Sequence, residues 1–296
     1  MRILLIGNGS IGKKHIHNLI EMGISDIDIC DPLTDGAKYK NFQDIGCNDG
    51  RYDLVIVSTP TKEHLHQLHC LNDWGYKYIV IEKPLCTLPT EYEILIENGM
   101  GVRVKELKSD VFVNNAYRFE NGIKRLKELL PRAGKIRYVN MENAYSFTKL
   151  HPQYKWEDYD GIIYDDSHII NTSRFLFGDP EEIKFKMIRK DRCVFMWESE
   201  KGIEVFHDTN ILNEVYKKRI EVVGELGNLV YNFGAHHIYF CPANESDRIA
   251  FAYDHQSNLF EALKYVIEVV KKGGRFEENT IDDSVKDMLV IKELIK

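Results

Sequence analysis

The feature that most restricts this chain is a glycine turn at its start. Residues 2–6 (Arg-Ile-Leu-Leu-Ile) form a short apolar run, and Gly7-Asn8-Gly9-Ser10-Ile11-Gly12 follows directly. Ile11, His15, Leu19 and Met22 then recur at helical spacing up to Gly23. A buried strand that turns on glycine straight into a helix is the opening βα unit of a doubly wound sheet. In that context Gly-x-Gly-x-x-Gly has a mechanism. Gly7 permits the tight turn, Gly9 lets backbone approach a pyrophosphate, and Gly12 lets helix and strand pack closely. The helix N-terminus then faces the negative charge.

Asp31 lies 19 residues after Gly12, at the end of the next strand, Ile27–Cys30. A carboxylate there accepts hydrogen bonds from adenosine-ribose hydroxyls and repels a 2′-phosphate, so the pattern favours NAD over NADP. In isolation the same residue also reads as a turn-forming Asp before Pro32.

Strand and helix signals continue to alternate over about 115 residues. Strands are expected at 53–58, 78–81 and 111–115, with helices at 61–74 and 90–108, the latter weakened by Gly99 and Gly101. That alternation predicts a parallel sheet. After a helix at 122–130 the pattern changes to longer strand-like runs at 136–147, 184–189, 193–199, 203–209, 219–223, 229–233 and 237–241. A helix at about 167–177 interrupts them, and helices at about 256–272 and 282–296 close the chain. The expected fold is therefore an N-terminal Rossmann domain over 1–119, and a 120–296 domain with a large, mainly antiparallel open sheet and flanking helices.

The 296 residues carry a formal net charge of −7, and Lys and Arg are scattered. The densest basic run, Lys217-Lys218-Arg219, reads as a solvated strand end or turn. Nucleic acid is not an expected partner. Six well-separated cysteines without a Cys-x-x-Cys pair suit a reducing compartment. No stretch approaches the ~20 apolar residues of a membrane span. The expectation is a soluble, cytoplasmic protein. His64, His66, His69 and Cys70 match no zinc spacing, so no metal is expected.

Further segments fall in order: Ser58-Thr59-Pro60-Thr61-Lys62-Glu63-His64, then Glu82-Lys83-Pro84-Leu85, then Asn115-Ala116-Tyr117-Arg118-Phe119. With the glycine turn, this series resembles the glucose-fructose oxidoreductase / inositol dehydrogenase / MocA family. Gly161-Ile-Ile-Tyr-Asp165-Asp-Ser-His168 and Phe175-Leu-Phe-Gly178 extend the likeness into the second half. They are similar to the family's Gly-x-x-x-Asp-x-x-x-His helix start, in the shorter form found in a subgroup of bacterial surface-sugar pathways. The resemblance implies a nicotinamide at the domain junction and homodimers or homotetramers built through the C-terminal sheet.

By that resemblance Ser58, Thr59, Pro60 and His64 line the cofactor, and Glu82 and Lys83 lie where nicotinamide meets substrate. Lys83, Asp165 and His168 form the implied catalytic set, acting on a sugar or nucleotide-linked sugar. Oxidising an alcohol requires a proton acceptor for the hydroxyl while hydride leaves carbon. His168 is suited to that, having an ordinary pKa near neutrality. Lys83, as an ammonium, stabilises the alkoxide. Asp165, three residues before His168, would share its helix face.

Where many relatives place the Asp, this chain has Tyr164; either Asp165 takes the role, as in the shorter form, or the carboxylate role is lost, and Asp166 is the fallback. Residues that the shorter form inserts between Trp156-Glu-Asp-Tyr159 and Gly161 are missing. His151-Pro152, Trp156 and Tyr164 are expected near the substrate. Arg118 meets either a substrate group or a salt-bridge partner. The leading expectation is an NAD-dependent dehydrogenase acting on CH–OH groups. Two rivals are an NAD enzyme with no net redox change and a catalytically silent NAD-bound sensor or partner subunit.

Overall fold

The computed structural model describes residues 1–48, 50–86, 107–150, 156, 161–165, 167–254 and 256–296. These form two compact units, Met1–Ala116 with Leu259–Leu289, and Tyr117–Asn258 with Val290–Lys296.

The first unit is built on a five-stranded parallel sheet. Its strands are β1 (Ile3–Ile6), β2 (Ile27–Cys30), β3 (Leu54–Val57), β4 (Tyr78–Glu82) and β5 (Asp110–Asn114), in the order β2-β1-β3-β4-β5. Every side chain of β1 and β3 is buried. That explains why they read as unbroken apolar runs rather than alternating ones. Helix α1 (Ser10–Glu21) follows β1, and α2 (His64–Asp73) follows β3 after a short 3-10 turn at Thr61–Glu63. The helix expected at 90–108 lies almost wholly outside the described residues.

The order places β1 and β3 side by side, with the chain running outward from them in opposite directions. Ligands bind at such a switch point, beyond the carboxyl ends of the strands. Both the glycine turn and Ser58-Thr59 stand there.

The second unit carries α3 (Asn121–Leu129) and an eight-stranded sheet. In chain order its strands are β6 (Ile136–Ser146), β7 (Pro180–Ile188), β8 (Arg192–Ser199), β9 (Glu204–Asn210), β10 (Leu212–Gly224), β11 (Gly227–Asn232), β12 (His237–Pro242) and β13 (Ile249–Ala252). Across the sheet they run β13-β12-β11-β10-β6-β9-β8-β7. All pairings are antiparallel except β6 with β9.

Between β6 and β7 the described residues form the helices α4 (Phe147–Leu150), α5 (Ile162–Asp165) and α6 (Ser167–Phe177). Helices α7 (Asn258–Lys272) and α8 (Ile281–Ile295) close the chain. The segment joining them packs in the first unit: Asn279 donates to the Asn115 carbonyl at 2.9 Å and Phe276 stands edge-on to Phe112.

Two strands differ most from expectation. β13 is absent from the sequence reading, because Ile-Ala-Phe-Ala at a sheet edge is short and mostly exposed. β10 begins seven residues earlier than expected. Its first six residues, Leu212–Lys217, are all exposed, so burial does not print alternation on them.

Candidate functional site in two parts

In the first unit the glycines separate by purpose. A Cβ on Gly7 would lie 2.6 Å from the Ser58 carbonyl oxygen, and one on Gly12 would lie 2.2 Å from the Gly7 oxygen. Gly7 also holds φ +89°, a left-handed conformation that suits glycine. Packing and backbone conformation therefore demand both. Gly9 is different. Its φ of −72° is open to any residue, and an added Cβ would meet nothing within 4 Å. What Gly9 leaves is clear space in front of α1.

The first backbone bond of α1 runs from the Lys13 N–H to the Gly9 oxygen at 3.1 Å, which leaves the N–H groups of Ser10, Ile11 and Gly12 outside the helical ladder. No side chain caps this end, and its first turn has no acidic residue. Uncapped N–H groups at the positive end of a helix, with a clear approach, fit a pyrophosphate.

Around this turn the other predicted residues fix loops. Ser58 Oγ donates to the Gly7 oxygen at 2.6 Å, and Thr59 Oγ1 donates to Gln67 at 2.7 Å. Pro60 caps the 3-10 turn. Asn8 donates its N–H to Asp31 Oδ2 at 2.9 Å and its side-chain amide to Thr34 at 3.0 Å. Asp31 Oδ1 accepts from the N–H groups of Leu33 and Thr34 and from the Thr34 hydroxyl. Burial works to raise the Asp31 carboxyl, but the N–H groups of Asn8, Leu33 and Thr34 outweigh it and hold it below the ordinary value. Oδ1 already holds three donors while Oδ2 holds one. Oδ2 therefore keeps more acceptor capacity open than Oδ1.

His64 is buried between two carbonyls, with Nδ1 2.9 Å from the Pro84 oxygen and Nε2 3.0 Å from the Thr59 oxygen. Burial lowers its pKa against the pull of those carbonyls, so the ring is neutral and donates to one of them at a time. It joins the loop after β3 to the loop after β4.

Glu82 is also buried, at the end of β4. Its Oε1 lies 2.7 Å from His15 Nε2 and accepts from Asn114 at 2.6 Å. Burial alone would raise the Glu82 carboxyl; His15 and Asn114 reverse that and lower it. Lys83 follows in the loop after β4.

The second unit gathers a different group. Asp165 ends α5 and His168 stands in the first turn of α6, so the single helix face expected for them is divided between two helices. Asp165 Oδ2 accepts from the Tyr145 hydroxyl at 2.9 Å. Lys218 Nζ donates to Tyr117 Oη at 2.7 Å and lies 3.3 Å from His168 Nε2. The Tyr117 ring stands edge-on to the imidazole, 4.3 Å between centroids.

Lys218 corrects the expectation of a solvated basic run. It lies inside β10, in register with Asn143 of β6, and is only 5% exposed. Strand alternation explains it. Lys218, Ile220 and Val222 share the buried face, while Lys217 and Arg219 point the other way and pair with Glu142 and Glu221. A lysine in phase with Ile220 and Val222 is the signal that identifies it.

Arg118 is buried too. Its Nε donates to Asn171 at 2.6 Å and its guanidinium lies over the Phe175 ring. Tyr164 lines a cleft of about 470 Å³ with Gly161, Arg189 and Lys190. Trp156 is 42% exposed, beneath the Lys190 ammonium and edge-on to Phe147. Asp166, His151 and Pro152 lie outside the described residues.

Residues 1–99 match the family described as oxidoreductase family, NAD-binding Rossmann fold (Gfo/Idh/MocA). The chain carries a Gfo/Idh/MocA NAD-binding domain. The whole chain shares its fold with solved oxidoreductases at low identity. UDP-N-acetylglucosamine 3-dehydrogenase GnnA from Acidithiobacillus ferrooxidans is 16% identical with a TM-score of 0.80, covering 99% of this chain and 96% of that one. A levoglucosan dehydrogenase solved with NADH and L-sorbose is 15% identical with a TM-score of 0.79, covering 100% and 96%. An oxidoreductase from Agrobacterium radiobacter, solved with NAD+, L-tartaric acid and magnesium, is 15% identical with a TM-score of 0.75, covering 99% and 94%. The matched residues include the glycine turn Gly7–Gly12. Among the described residues no group of three or more His, Cys, Asp or Glu could hold a metal ion, and no helix is long and apolar enough to cross a membrane.

Proposed function

We propose that this protein is an NAD-dependent dehydrogenase acting on a hydroxyl or keto carbon of a sugar or nucleotide-linked sugar. The observation that carries the reading is the glycine turn. Packing demands Gly7 and Gly12, whereas a Cβ on Gly9 would meet nothing within 4 Å among the described residues, which leaves the α1 N–H groups open to a pyrophosphate. Residues 1–119 hold the dinucleotide and residues 120–296 shape the substrate pocket.

When bound, the nicotinamide supplies the hydride acceptor or donor. Ser10, Ile11 and Gly12 hold the pyrophosphate through backbone N–H groups. Asp31 takes a ribose hydroxyl on Oδ2 and repels a 2′-phosphate, which selects NAD over NADP. Ser58, Thr59, Pro60 and His64 set the loops beside it, and Glu82 anchors the loop that carries Lys83. The Lys83 ammonium stabilises the alkoxide and, in the reverse direction, polarises a carbonyl. His168 takes the hydroxyl proton or returns it. Asp165, oriented by Tyr145, fixes the approach of the hydroxyl. Trp156, Tyr164 and Arg118 contribute to the substrate side. The protein works in the cytoplasm as a homo-oligomer joined through its large sheet. The sugar relatives named above support the substrate class.

The test starts with protein purified without added nucleotide, whose bound dinucleotide and sugar are identified by mass spectrometry. Turnover is then followed as NADH formation across a sugar panel. Lys83→Ala is expected to abolish turnover and leave NAD binding intact. Near-normal turnover in that variant overturns the Lys83 assignment. Absence of any NAD binding overturns the whole reading.

A further inference from the structure

The strongest unassigned feature of the molecule is the buried ammonium of Lys218 beside His168. A lysine ammonium has three donors and no acceptor. Nζ lies 3.3 Å from His168 Nε2 and donates to Tyr117 Oη at 2.7 Å. For the first of these contacts to be a hydrogen bond, Nε2 must be the acceptor. An N–H at Nε2 would point donor against donor.

Lys218 is also held tightly. Its strand pairs on one side with β6 and on the other with β11, and its ammonium lies over the rings of Tyr117 and Phe233 at 3.9 and 4.9 Å. Those two rings stand 5.5 Å apart. The ammonium cannot swing far without leaving both aromatic faces.

We propose that Lys218 is a positioning residue that keeps His168 neutral, with its lone pair on Nε2. The proposal rests on the reading of His168 as the proton acceptor. A general base needs its lone pair on the nitrogen that meets the substrate hydroxyl. In the arriving complex the hydroxyl competes with Lys218 for Nε2 and the 3.3 Å contact between them gives way. The substrate proton moves to Nε2, and Lys218 remains an ammonium bonded to Tyr117. The product imidazolium then stands beside a like charge, so it gives its proton back readily. That arrangement favours the carbonyl-reducing direction.

The described residues bring these titratable or charged groups to His168. Lys218 comes from β10 and Tyr117 from the 3-10 turn before α3; the Asp165 carboxylate, at the end of α5, is bonded to Tyr145 of β6.

The test uses the full chain with isotope-labelled histidine and compares wild type with Lys218→Met, Lys218→Arg and Tyr117→Phe. The His168 signal is identified by its loss in His168→Asn. In wild type, nitrogen chemical shifts are expected to show Nε2 as the unprotonated nitrogen at neutral pH. In Lys218→Met the tautomers are expected to mix, and the protonation midpoint is expected to rise by about one to two pH units as the like charge is removed. Lys218→Arg is expected to retain the wild-type tautomer. Tyr117→Phe keeps the ammonium and isolates its effect from that of the phenol.

An unchanged tautomer and midpoint in Lys218→Met overturn the proposal. The acid limb of the kcat/KM profile is expected to rise by the same amount as the midpoint. If the nuclear resonance midpoint moves and the kinetic limb does not, Lys218 keeps its role and the assignment of His168 as the base falls.

Discussion

The two units treat their inward-facing imidazoles in opposite ways. In the first unit His15 meets the Glu82 carboxylate and His64 meets two backbone carbonyls. Each is offered acceptors. An imidazole in that setting is used as a donor, and its work is to join one segment of chain to another. In the second unit His168 meets an ammonium, while His207 is enclosed by the rings of Phe195 and Trp197. Neither of those contacts offers an acceptor. A ring that faces a donor keeps a lone pair, and a lone pair is what proton abstraction requires. On the proposed function, the histidines of the first unit do structural work and the base chemistry falls to the second.

The widest separation is expected from two substitutions. His168→Ala is expected to lower kcat about a thousandfold, the usual scale for a general base, with NAD affinity unchanged by titration calorimetry. A variant that keeps turnover would remove the distinction between the units. His15→Phe tests the other half. The phenyl ring fills similar space but leaves the Glu82 carboxylate buried with Asn114 as its remaining side-chain partner. Leaving a buried carboxylate without one of its hydrogen-bond partners costs about 2 kcal/mol. Urea denaturation at pH 7 reads that loss, and unchanged stability would mean the pair is no tie at all.

The glycine turn was fully legible because its six residues are contiguous and stand between a strand and a helix. The same holds for the parallel sheet, whose buried strands are printed as continuous apolar runs. The His168 group was legible only in part. His168 and Asp165 stood in a recognisable segment. Lys218 and Tyr117 are 50 and 51 residues from His168, and antiparallel pairing of β10 with β6 brings Lys218 to it. In sequence Lys218 stands with Lys217 and Arg219 as a short basic run that reads as a solvated strand end or turn. A strand sends neighbours to opposite faces, and the period of two separates it from them. Likewise His15 reads from sequence as one inward position of an amphipathic helix. Its partner, Glu82, lies 67 residues away and is joined to it by the fold.

Gly9 gives a smaller effect, confined to binding. Gly9→Val adds atoms where the chain has none within 4 Å of the new Cβ, at a φ any residue can adopt. The melting temperature without ligand is expected to stay within about a degree or two, because one residue at the mouth of a helix contributes little. The Kd for NAD is expected to rise about thirtyfold, since the side chain occupies the approach to the α1 N–H groups. Loss of stability without loss of affinity would mean that Gly9 serves the fold, and the separation of the three glycines by purpose would fail.

The smallest effect belongs to His207, and it appears only in acid. The ring is completely buried on β9, stacked on Phe195 at 4.4 Å, and among the described residues neither nitrogen has a hydrogen-bond partner. Burial pushes its pKa down from 6.5 to about 3. The unfolded chain binds a proton there below about pH 6.5, and the folded chain does not until about pH 3. Between those values the unfolded state holds more protons, so stability falls as the pH is lowered. His207→Phe keeps the stacked ring and removes the titration. The stability difference between variant and wild type is expected to be about 1.4 kcal/mol more in favour of the variant at pH 5.5 than at pH 7.5, the value of one pH unit below the unfolded pKa. Groups that titrate identically in both proteins cancel from that difference. A difference that stays the same at the two pH values would mean that protonated His207 finds an acceptor in the folded state. The second unit would then treat this imidazole as the first treats its own.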